Sequence, residues 1–281
     1  MKFEASFIQG SKGQLFYLER YNDEHNADVN YVVLALMPFA EEANKCRHML
    51  SKLAEIIASD HGLLALYDHY GTGDSEGLFE NTSMTLWVDD VDVVLRHIQN
   101  RFEAPAGLLA IRSAAMLPFL LLNRGSANFK WLSLINPVLD GRQFIQQFLR
   151  LKLASEMTAA EGKKVTMQEL KAVLAEEGAL EIAGYNLSQE MYEGFIRFDL
   201  VKSVSELAGM ILPEVDWFEL STRPRDSLLP ATVKSVEILE AAGFRVEVKS
   251  CIGDQFWATQ EITIADSLIK PVSESIRRKL T

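Results

Sequence analysis

Leu108-Leu109-Ala110-Ile111-Arg112-Ser113-Ala114-Ala115 joins two apolar runs in the 281-residue chain. The run that ends there is rich in strand-forming residues, and the run that follows, Met116–Leu122, is typical of a helix. Ala110 and Ala114 stand two positions before and two positions after Arg112. Small residues in that frame let a strand and a helix pack closely through a sharp turn, the nucleophile elbow. The frame therefore predicts an elbow with Arg112 at its centre.

The serine in this stretch lies one position too late to be the nucleophile. Placing Ser113 at the centre would require a small residue at Ile111, and a β-branched side chain fits poorly there. Ser113 is instead expected in the first turn of the helix, with its amide facing the site that would bind an oxyanion. The pattern thus predicts a hydrolase scaffold and at the same time denies it the usual catalytic serine.

Composition limits the classes of protein to consider. Apolar residues make up 48% of the chain and charged residues 24%, which is an ordinary globular balance. The net charge of −11 argues against nucleic acid or an anionic membrane as the main partner. Cys46 and Cys251 form neither a disulfide framework nor a zinc motif, so we expect no metal and no cofactor. The sequence has no signal pattern and no apolar window long enough for a membrane span, which predicts a cytoplasmic protein.

Strands and helices alternate along most of the chain. Such alternation is typical of βαβ units and a parallel sheet, here preceded by an antiparallel hairpin. Strands are predicted at residues 3–8, 14–21, 31–37, 63–67, 106–111, 130–135, 213–220 and 245–251. Helices are predicted at residues 42–59, 85–101, 116–122 and 231–242, with a last helix from about Trp257 onward.

The alternation stops between residues 139 and 204. Helices are predicted at 142–156, at 167–177 and after Ser188, which can cap the third of them. A helical insertion between two halves of a parallel sheet predicts a lid over the strand ends. We therefore expect a core of residues 1–138 and 205–281 and a helical lid of residues 139–204.

Seven stretches carry a resemblance that spans nearly the whole chain. They are PFAEEANKCR (38–47), DHYGTGDSEG (68–77), WVDDV (87–91), AIRSA (110–114), NPVLDGRQFIQQFLRLKLA (136–154), EIAGYNLS (181–188) and GDQFW (253–257). With these motifs the chain resembles the α/β-hydrolase superfamily, and more closely the exosortase A system-associated hydrolase 2 family. The resemblance implies an α/β-hydrolase fold and a link to bacterial protein-sorting and exopolysaccharide loci. It also implies that arginine at the elbow is a family feature.

A serine hydrolase of this fold needs a nucleophile, an acid and a histidine, in that chain order. Asp226, after the strand that ends near Leu220, is the candidate acid. All five histidines precede the elbow, and Gln255 stands where the base is expected. An amide cannot accept a proton at neutral pH, so an ordinary serine esterase is not expected.

Arg112 should have an anionic partner, because a cation at the start of a helix is disfavoured by the helix dipole. One interpretation is an internal ion pair with Glu41, Glu42 or Asp226. The other is a ligand carboxylate or phosphate held by the guanidinium. Glu41 is a candidate general acid or base, although charges at a helix start are more often simply solvated.

The predicted site divides into two groups of residues. The catalytic positions are Arg112, Ser113, Asp226, Glu41 and Gln255, and the ligand-binding positions are Phe39, Glu42, Asp68 and Trp257.

Three functions remain open. The first is a hydrolase or acyl transferase that uses Glu41, Ser113 or Cys46 on an acyl, ester or glycan-linked substrate. The second is a binding protein that holds an anionic small molecule at Arg112. The third is a partner for proteins of the same locus, and the amphipathic stretch 144–151 could also serve as a homodimer face.

Overall fold

The computed structural model describes residues 2–22, 29–125, 128–158, 165–207 and 209–280. Within them the strands are β1 (Lys2–Gln9), β2 (Gln14–Tyr21), β3 (Tyr31–Leu36), β4 (Gly62–Tyr67), β5 (Ala106–Ile111), β6 (Trp131–Ile135), β7 (Ala179–Ile182), β8 (Tyr185–Ser188), β9 (Glu214–Ser221) and β10 (Val246–Ile252). The helices are α1 (Glu41–Ser59), α2 (Met84–Arg101), α3 (Met116–Leu122), α4 (Gly141–Thr158), α5 (Met167–Glu177), α6 (Gln189–Arg197), α7 (Leu200–Ser205), α8 (Pro230–Ala241) and α9 (Asp266–Arg278).

Eight of these strands form one sheet in the order β1-β2-β4-β3-β5-β6-β9-β10. β2 runs antiparallel to both β1 and β4, and every other neighbouring pair is parallel. The central strands β3, β4, β5 and β6 are buried at every position. Continuous apolar runs of this kind are typical of strands covered by helices on both faces. The predicted mostly parallel sheet and its amino-terminal hairpin are confirmed.

The two faces of the sheet carry separate apolar clusters. One face packs on α1 and α9, through residues such as Leu53 and Val272. The other packs on α2, α3 and α8, through residues such as Val91, Leu117 and Leu239. The flanking helices therefore sandwich the sheet. Among the residues described, no helix has the length and apolar content needed to cross a membrane.

Residues 139–204 lie between β6 and β9 and contain α4 to α6 and all but the last residue of α7, so helices fill most of this segment as expected. The segment also contains a two-stranded antiparallel hairpin, β7 with β8, where a wholly helical segment was predicted. Ala183 and Gly184 connect the two strands, and both have positive φ, 51° and 86°. Two left-handed residues form the tight turn whose twist matches that of a hairpin. The division of the chain into a core and a lid stays a prediction.

The last helix begins at Asp266, so its predicted start near Trp257 is wrong. Phe256 and Trp257 are buried and belong to a non-helical stretch that precedes the helix. The hydroxyls of Thr259 and Thr263 lie 3.2 Å apart in this stretch, and Lys45 donates to the Thr259 carbonyl oxygen at 2.8 Å. β-branched residues with local hydrogen bonds of this kind compete with helix formation.

Candidate functional site

The turn after β5 contains a strained backbone conformation. β5 ends at Ile111, a single 3₁₀ turn covers Arg112–Ala115, and α3 begins at Met116. Arg112 has φ of 55°, in the left-handed region that non-glycine residues rarely adopt. Strain of this kind is often found at functional sites. The strained residue is the arginine and not Ser113.

The Arg112 side chain lies between three groups. Its Nη2 atom lies 3.3 Å from Oε1 of Glu42, and its Nη1 atom donates to the carbonyl oxygen of Asn136 at 3.3 Å. The guanidinium carbon lies 5.1 Å from the centre of the Trp257 ring, within cation–π distance. Only 22% of the side chain is exposed, and Nε has no hydrogen-bond partner among the described residues.

Glu42 lies in the first turn of α1, and its side chain is 23% exposed. Burial raises the pKa of its carboxyl group, while the positive charge of Arg112 acts in the opposite direction. Oε2 of this carboxylate is buried and has no partner in the described part of the chain. The ion pair predicted for Arg112 is thus present with Glu42, but each partner keeps a polar atom that no other described residue satisfies.

Asn136 contacts the Arg112 guanidinium through its carbonyl oxygen, and its own side chain is held by β9. Its side-chain nitrogen donates to the Leu220 carbonyl oxygen at 3.0 Å, and its side-chain oxygen accepts from the Leu220 amide at 2.6 Å. Asn136 therefore ties the end of β6 to β9 and fixes the carbonyl oxygen that Arg112 contacts. The sequence pattern marks Asn136-Pro137 only as the end of a strand, so it does not reveal this role.

The hydroxyl of Ser113 points away from solvent. Ser113 is buried, and its Oγ accepts a hydrogen bond from the Phe39 amide at 3.0 Å. In hydrolases with a nucleophile elbow, the oxyanion hole is built from the amide after the nucleophile and an amide of the loop after the third strand. The Phe39 amide lies in that loop, between β3 and α1. The serine side chain thus occupies one of the two donors that an oxyanion would need.

Phe39 lies at the centre of a group of rings that we call the aromatic cluster. Its ring centre is 5.1–6.1 Å from those of the other members, which come from the core and from the inserted segment. The aromatic cluster consists of Phe39, Phe79, Trp87, Phe144, Phe148 and Phe195. Phe39 was predicted to contact a ligand, but in this structure its ring packs the inserted segment against the core.

Asp68 is also predicted to contact a ligand, and its contacts here are internal. It is buried, forms an ion pair with Arg47 at 2.5 Å and accepts from the Asp74 amide at 2.9 Å. A side chain at Gly73 would collide with its carboxylate, and Gly73 has φ of 51°. Asp68 therefore organises the glycine-rich loop.

Glu41, next to Glu42 in the chain, is exposed and contacts the inserted segment. The Tyr185 hydroxyl donates to its Oε2 at 3.1 Å, and the Asn44 side-chain nitrogen does the same at 3.1 Å. Burial, followed by the hydrogen bond to Glu41, raises the pKa of Tyr185 to about 12. Glu41 thus links α1 to β8 rather than to Arg112.

Asp226 and Gln255, the two remaining predicted catalytic positions, are exposed. Neither side chain makes a hydrogen bond or ion pair with another described residue. The structure therefore does not join them to Arg112 or Ser113, and their catalytic roles stay predictions.

Within the described ranges no imidazole forms a hydrogen bond with Ser113, whose hydroxyl accepts from the Phe39 amide. His69, beside the glycine-rich loop, is buried with its ring stacked 4.4 Å from that of Trp87 and its Nδ1 atom 3.1 Å from the Tyr67 hydroxyl. His25 lies outside the described residues.

The Cys46 thiol lies close to the Arg112 pair and is fully buried. Burial raises its pKa well above the ordinary value, and the negative charge of Glu42 raises it further. A reactive cysteine needs the opposite shift, so the environment of Cys46 does not favour a thiolate.

A cavity of about 710 Å³ lies away from Arg112, between α2, α3, α6 and α7. Its walls combine apolar side chains such as Val88 and Phe198 with charges of both signs, such as Lys202 and Glu206. None of the predicted site residues lines it. No group of three or more His, Cys, Asp or Glu side chains in the described ranges is arranged to hold a metal ion.

Many solved structures match the chain over nearly its whole length, and three of them serve as examples. A highly thermostable carboxyl esterase from Bacillus coagulans is 13% identical, with a TM-score of 0.65 over 100% of both chains. Est1E from Butyrivibrio proteoclasticus is 11% identical, with a TM-score of 0.64 over 98% of each chain. An alpha-beta serine hydrolase homologue from Coxiella burnetii is 13% identical, with a TM-score of 0.57 over 100% of this chain and 99% of that one.

The sequence matches no protein-family model and no curated protein. Identities this low carry information on fold alone. The strand order, the antiparallel second strand and the sharp turn after β5 agree with the full-length matches to esterases and hydrolases. The protein therefore has the α/β-hydrolase fold, a mostly parallel sheet with flanking helices.

Proposed function

We propose that this protein binds an anionic small molecule at Arg112, and that it serves the exosortase and exopolysaccharide systems to which its motifs point. The observation that carries the proposal is the incomplete pairing of a guanidinium placed at the elbow. Nε of Arg112 and Oε2 of Glu42 are buried and have no hydrogen-bond partner among the described residues, although the two side chains contact each other. We infer that a ligand carboxylate or phosphate completes this pairing.

Geometry favours a planar anion as the missing partner. Arg112 meets Glu42 through a single contact of 3.3 Å, which is long for a charge-assisted hydrogen bond. A ligand carboxylate can present two oxygens to Nε and one terminal nitrogen, an arrangement that lysine cannot reproduce. An acyl carboxylate and an acidic glycan both offer this group. The proposed ligand is therefore an acyl or glycan-linked acid.

The contacts of Ser113 oppose ester cleavage through the ordinary serine route. Its hydroxyl is buried on the Phe39 amide, and among the described residues no imidazole forms a hydrogen bond with it that could remove its proton. Removal of members of a working triad costs several powers of ten in rate. We therefore propose, together with the binding function, that the protein has no working Ser-His-Asp triad.

The binding test compares two arginine variants by calorimetry. Short fatty acids, glucuronate and inorganic phosphate are titrated into the wild-type protein, into Arg112→Ala and into Arg225→Ala. Arg225 is an exposed arginine with no hydrogen bond or ion pair to another described residue, so it controls for the change in net charge. We expect binding that is lost only in Arg112→Ala. Equal binding by the wild-type protein and Arg112→Ala would contradict the proposal.

Hydrolysis through Glu42 is the second candidate. It is favoured by the raised pKa of that residue and by its Oε2 atom, which has no hydrogen-bond partner in the described part of the chain. In this reaction Glu42 accepts a proton from a water molecule, and the resulting hydroxide attacks the ester carbonyl carbon. Arg112 stabilises the oxyanion, the ester C–O bond breaks, and Glu42 returns the proton to the leaving alkoxide.

Nitrophenyl esters distinguish the two candidates. Turnover that survives Ser113→Ala and is lost in Glu42→Gln supports hydrolysis through Glu42. Absence of turnover in the wild-type protein removes this candidate and leaves the binding function. Turnover that requires Ser113, together with its labelling by a fluorophosphonate probe, would contradict both.

A further inference from the structure

β1 is one edge of the eight-stranded sheet and has β2 as its strand partner among the described residues. It is eight residues long and contains no proline. Phe3, Ala5 and Phe7 share one of its faces, and the two aromatic side chains are 57% and 56% exposed. A long edge strand with exposed aromatic residues is a template for pairing with another strand.

The opposite edge of the sheet, β10, has no exposed aromatic side chain and carries charged residues that form ion pairs. β10 carries Glu247 and Lys249, which lie 3.4 Å apart, and Glu247 also pairs with Arg278 of α9 at 3.0 Å. Charged side chains on an edge strand are a common protection against unwanted pairing. β1 also carries a lysine and a glutamate, but its opposite face exposes two aromatic side chains, which β10 does not have. This exposed aromatic face indicates that β1 is the edge available to a partner.

The exposed aromatic residues on β1 are held by neighbouring side chains. The Arg20 guanidinium carbon lies 4.1 Å from the centre of the Phe3 ring, and the Phe7 ring makes an edge contact of 5.8 Å with Phe16. Both rings are therefore already ordered on the surface, which reduces the entropy lost when a partner covers them.

We propose that β1 pairs with β1 of a second copy of this chain, antiparallel and centred on Ala5, so that two sheets join edge to edge. A two-fold axis perpendicular to the joined sheet relates the two copies and keeps matching faces on the same side. Directly opposite residues must point to the same face, so one residue of β1 has to lie opposite its own copy. With Ala5 at the centre, Phe3 of each copy lies opposite Phe7 of the other. Cross-strand aromatic pairs stabilise antiparallel strands, and two small alanines leave room for them.

The neighbouring registers are less favourable. Centring on Glu4 places two like charges directly opposite each other, which destabilises a strand pair. Centring on Ser6 places Phe7 opposite Ala5 and Phe3 opposite Gln9, which breaks both aromatic pairs. Centring on Ala5 places Glu4 opposite Ser6, so no like charges lie directly opposite each other.

Disulfide formation tests the register. Residues directly opposite each other in an antiparallel pair have Cα atoms about 4.5–5.5 Å apart, within the range that a disulfide spans. We expect Ala5→Cys to give a covalent dimer under mild oxidation. Ser6→Cys is the matched control, because its two copies would not lie opposite each other. The native cysteines, Cys46 and Cys251, are buried, so the background should be low.

Light scattering on the unmodified protein tests the interface itself. We expect a dimer that dissociates on dilution and that is lost in the double variant Phe3→Lys, Phe7→Lys. Ile252→Lys, on the exposed part of β10, should keep the dimer and controls for added charge on an edge strand. Circular dichroism verifies that each variant is folded.

A protein that stays monomeric at high concentration, with no cross-link at Ala5→Cys, would overturn the proposal. So would a dimer that survives the double lysine change, or one that cross-links equally well through Ser6→Cys.

Discussion

At the scale of single residues, the backbone of Arg112 adopts a conformation that is disfavoured for an L-residue. An L-residue with φ near 55° is disfavoured by about 1–2 kcal/mol, whereas glycine adopts this conformation readily. Arg112→Ala and Arg112→Gly both remove the contact with Glu42, so they differ mainly in this strain. We expect the glycine variant to be more stable than the alanine variant by about 1 kcal/mol in urea unfolding. Equal stability would show that the turn relaxes when the guanidinium is removed.

Two buried serines provide a matched test of the Ser113 hydrogen bond. Ser113→Ala leaves the Phe39 amide without its acceptor, which should cost about 1–3 kcal/mol of unfolding free energy. Ser133 is equally buried, but its Oγ has no partner within the described ranges. Ser133→Ala should therefore be neutral or stabilising. Denaturant unfolding of both variants gives the comparison, and similar losses in the two would contradict the assigned role of Ser113.

The raised pKa of Glu42 predicts a direction for the pH dependence of stability. Because burial disfavours the charged form, the folded protein binds a proton here more tightly than the unfolded chain does. The resulting stability is fully present below the pKa of the unfolded chain and is lost as pH rises through the folded-state pKa. Relative to Glu42→Gln, which does not titrate, the wild-type protein should therefore gain stability as pH falls from 7 toward about 4.3, the ordinary glutamate value. Unfolding free energies of the two proteins across that range test the sign, and a difference that is constant with pH would contradict it.

At the scale of elements, the turn between β7 and β8 offers a reciprocal pair of substitutions. Gly184 and Ala183 both have positive φ, and a side chain at Gly184 would meet no atom within 4 Å. Gly184→Ala should therefore cost about 1 kcal/mol through the backbone alone, and Ala183→Gly should stabilise by about 0.5–1 kcal/mol. Hydrogen exchange of the hairpin amides measures both effects. The assigned turn would be wrong if the two variants changed exchange in the same direction.

The elements that sequence predicted well are those with a strong local pattern. The apolar runs of β3 to β6 indicate buried parallel strands, and the spacing of apolar residues in α1 and α2 indicates helices with one covered face. The hairpin in the inserted segment escaped prediction because its strands have only four residues each and its turn begins with alanine. The non-helical stretch after Trp257 escaped prediction because its conformation depends on contacts with α1, such as the hydrogen bond from Lys45 to the Thr259 carbonyl oxygen.

At the scale of the whole molecule, the candidate site was predictable only in outline. The small residues around Arg112 identify the turn, but the choice among Glu41, Glu42 and Asp226 depends on elements far apart in the chain. Glu42 contacts the arginine, while its neighbour Glu41 contacts Tyr185 of the inserted segment. The aromatic cluster likewise unites residues from 39 to 195, and no local pattern reveals which rings meet.

The hydrogen bond between Ser113 and the Phe39 amide limits how ester cleavage could be engineered into this scaffold. Arg112→Ser would install a hydroxyl at the tip of the turn, yet an incoming carbonyl oxygen would still find one amide donor already occupied. The donor becomes free only when the neighbouring hydroxyl is also deleted. A designer would therefore have to replace at least two adjacent residues, and supply a base as well, before any acyl-enzyme could accumulate.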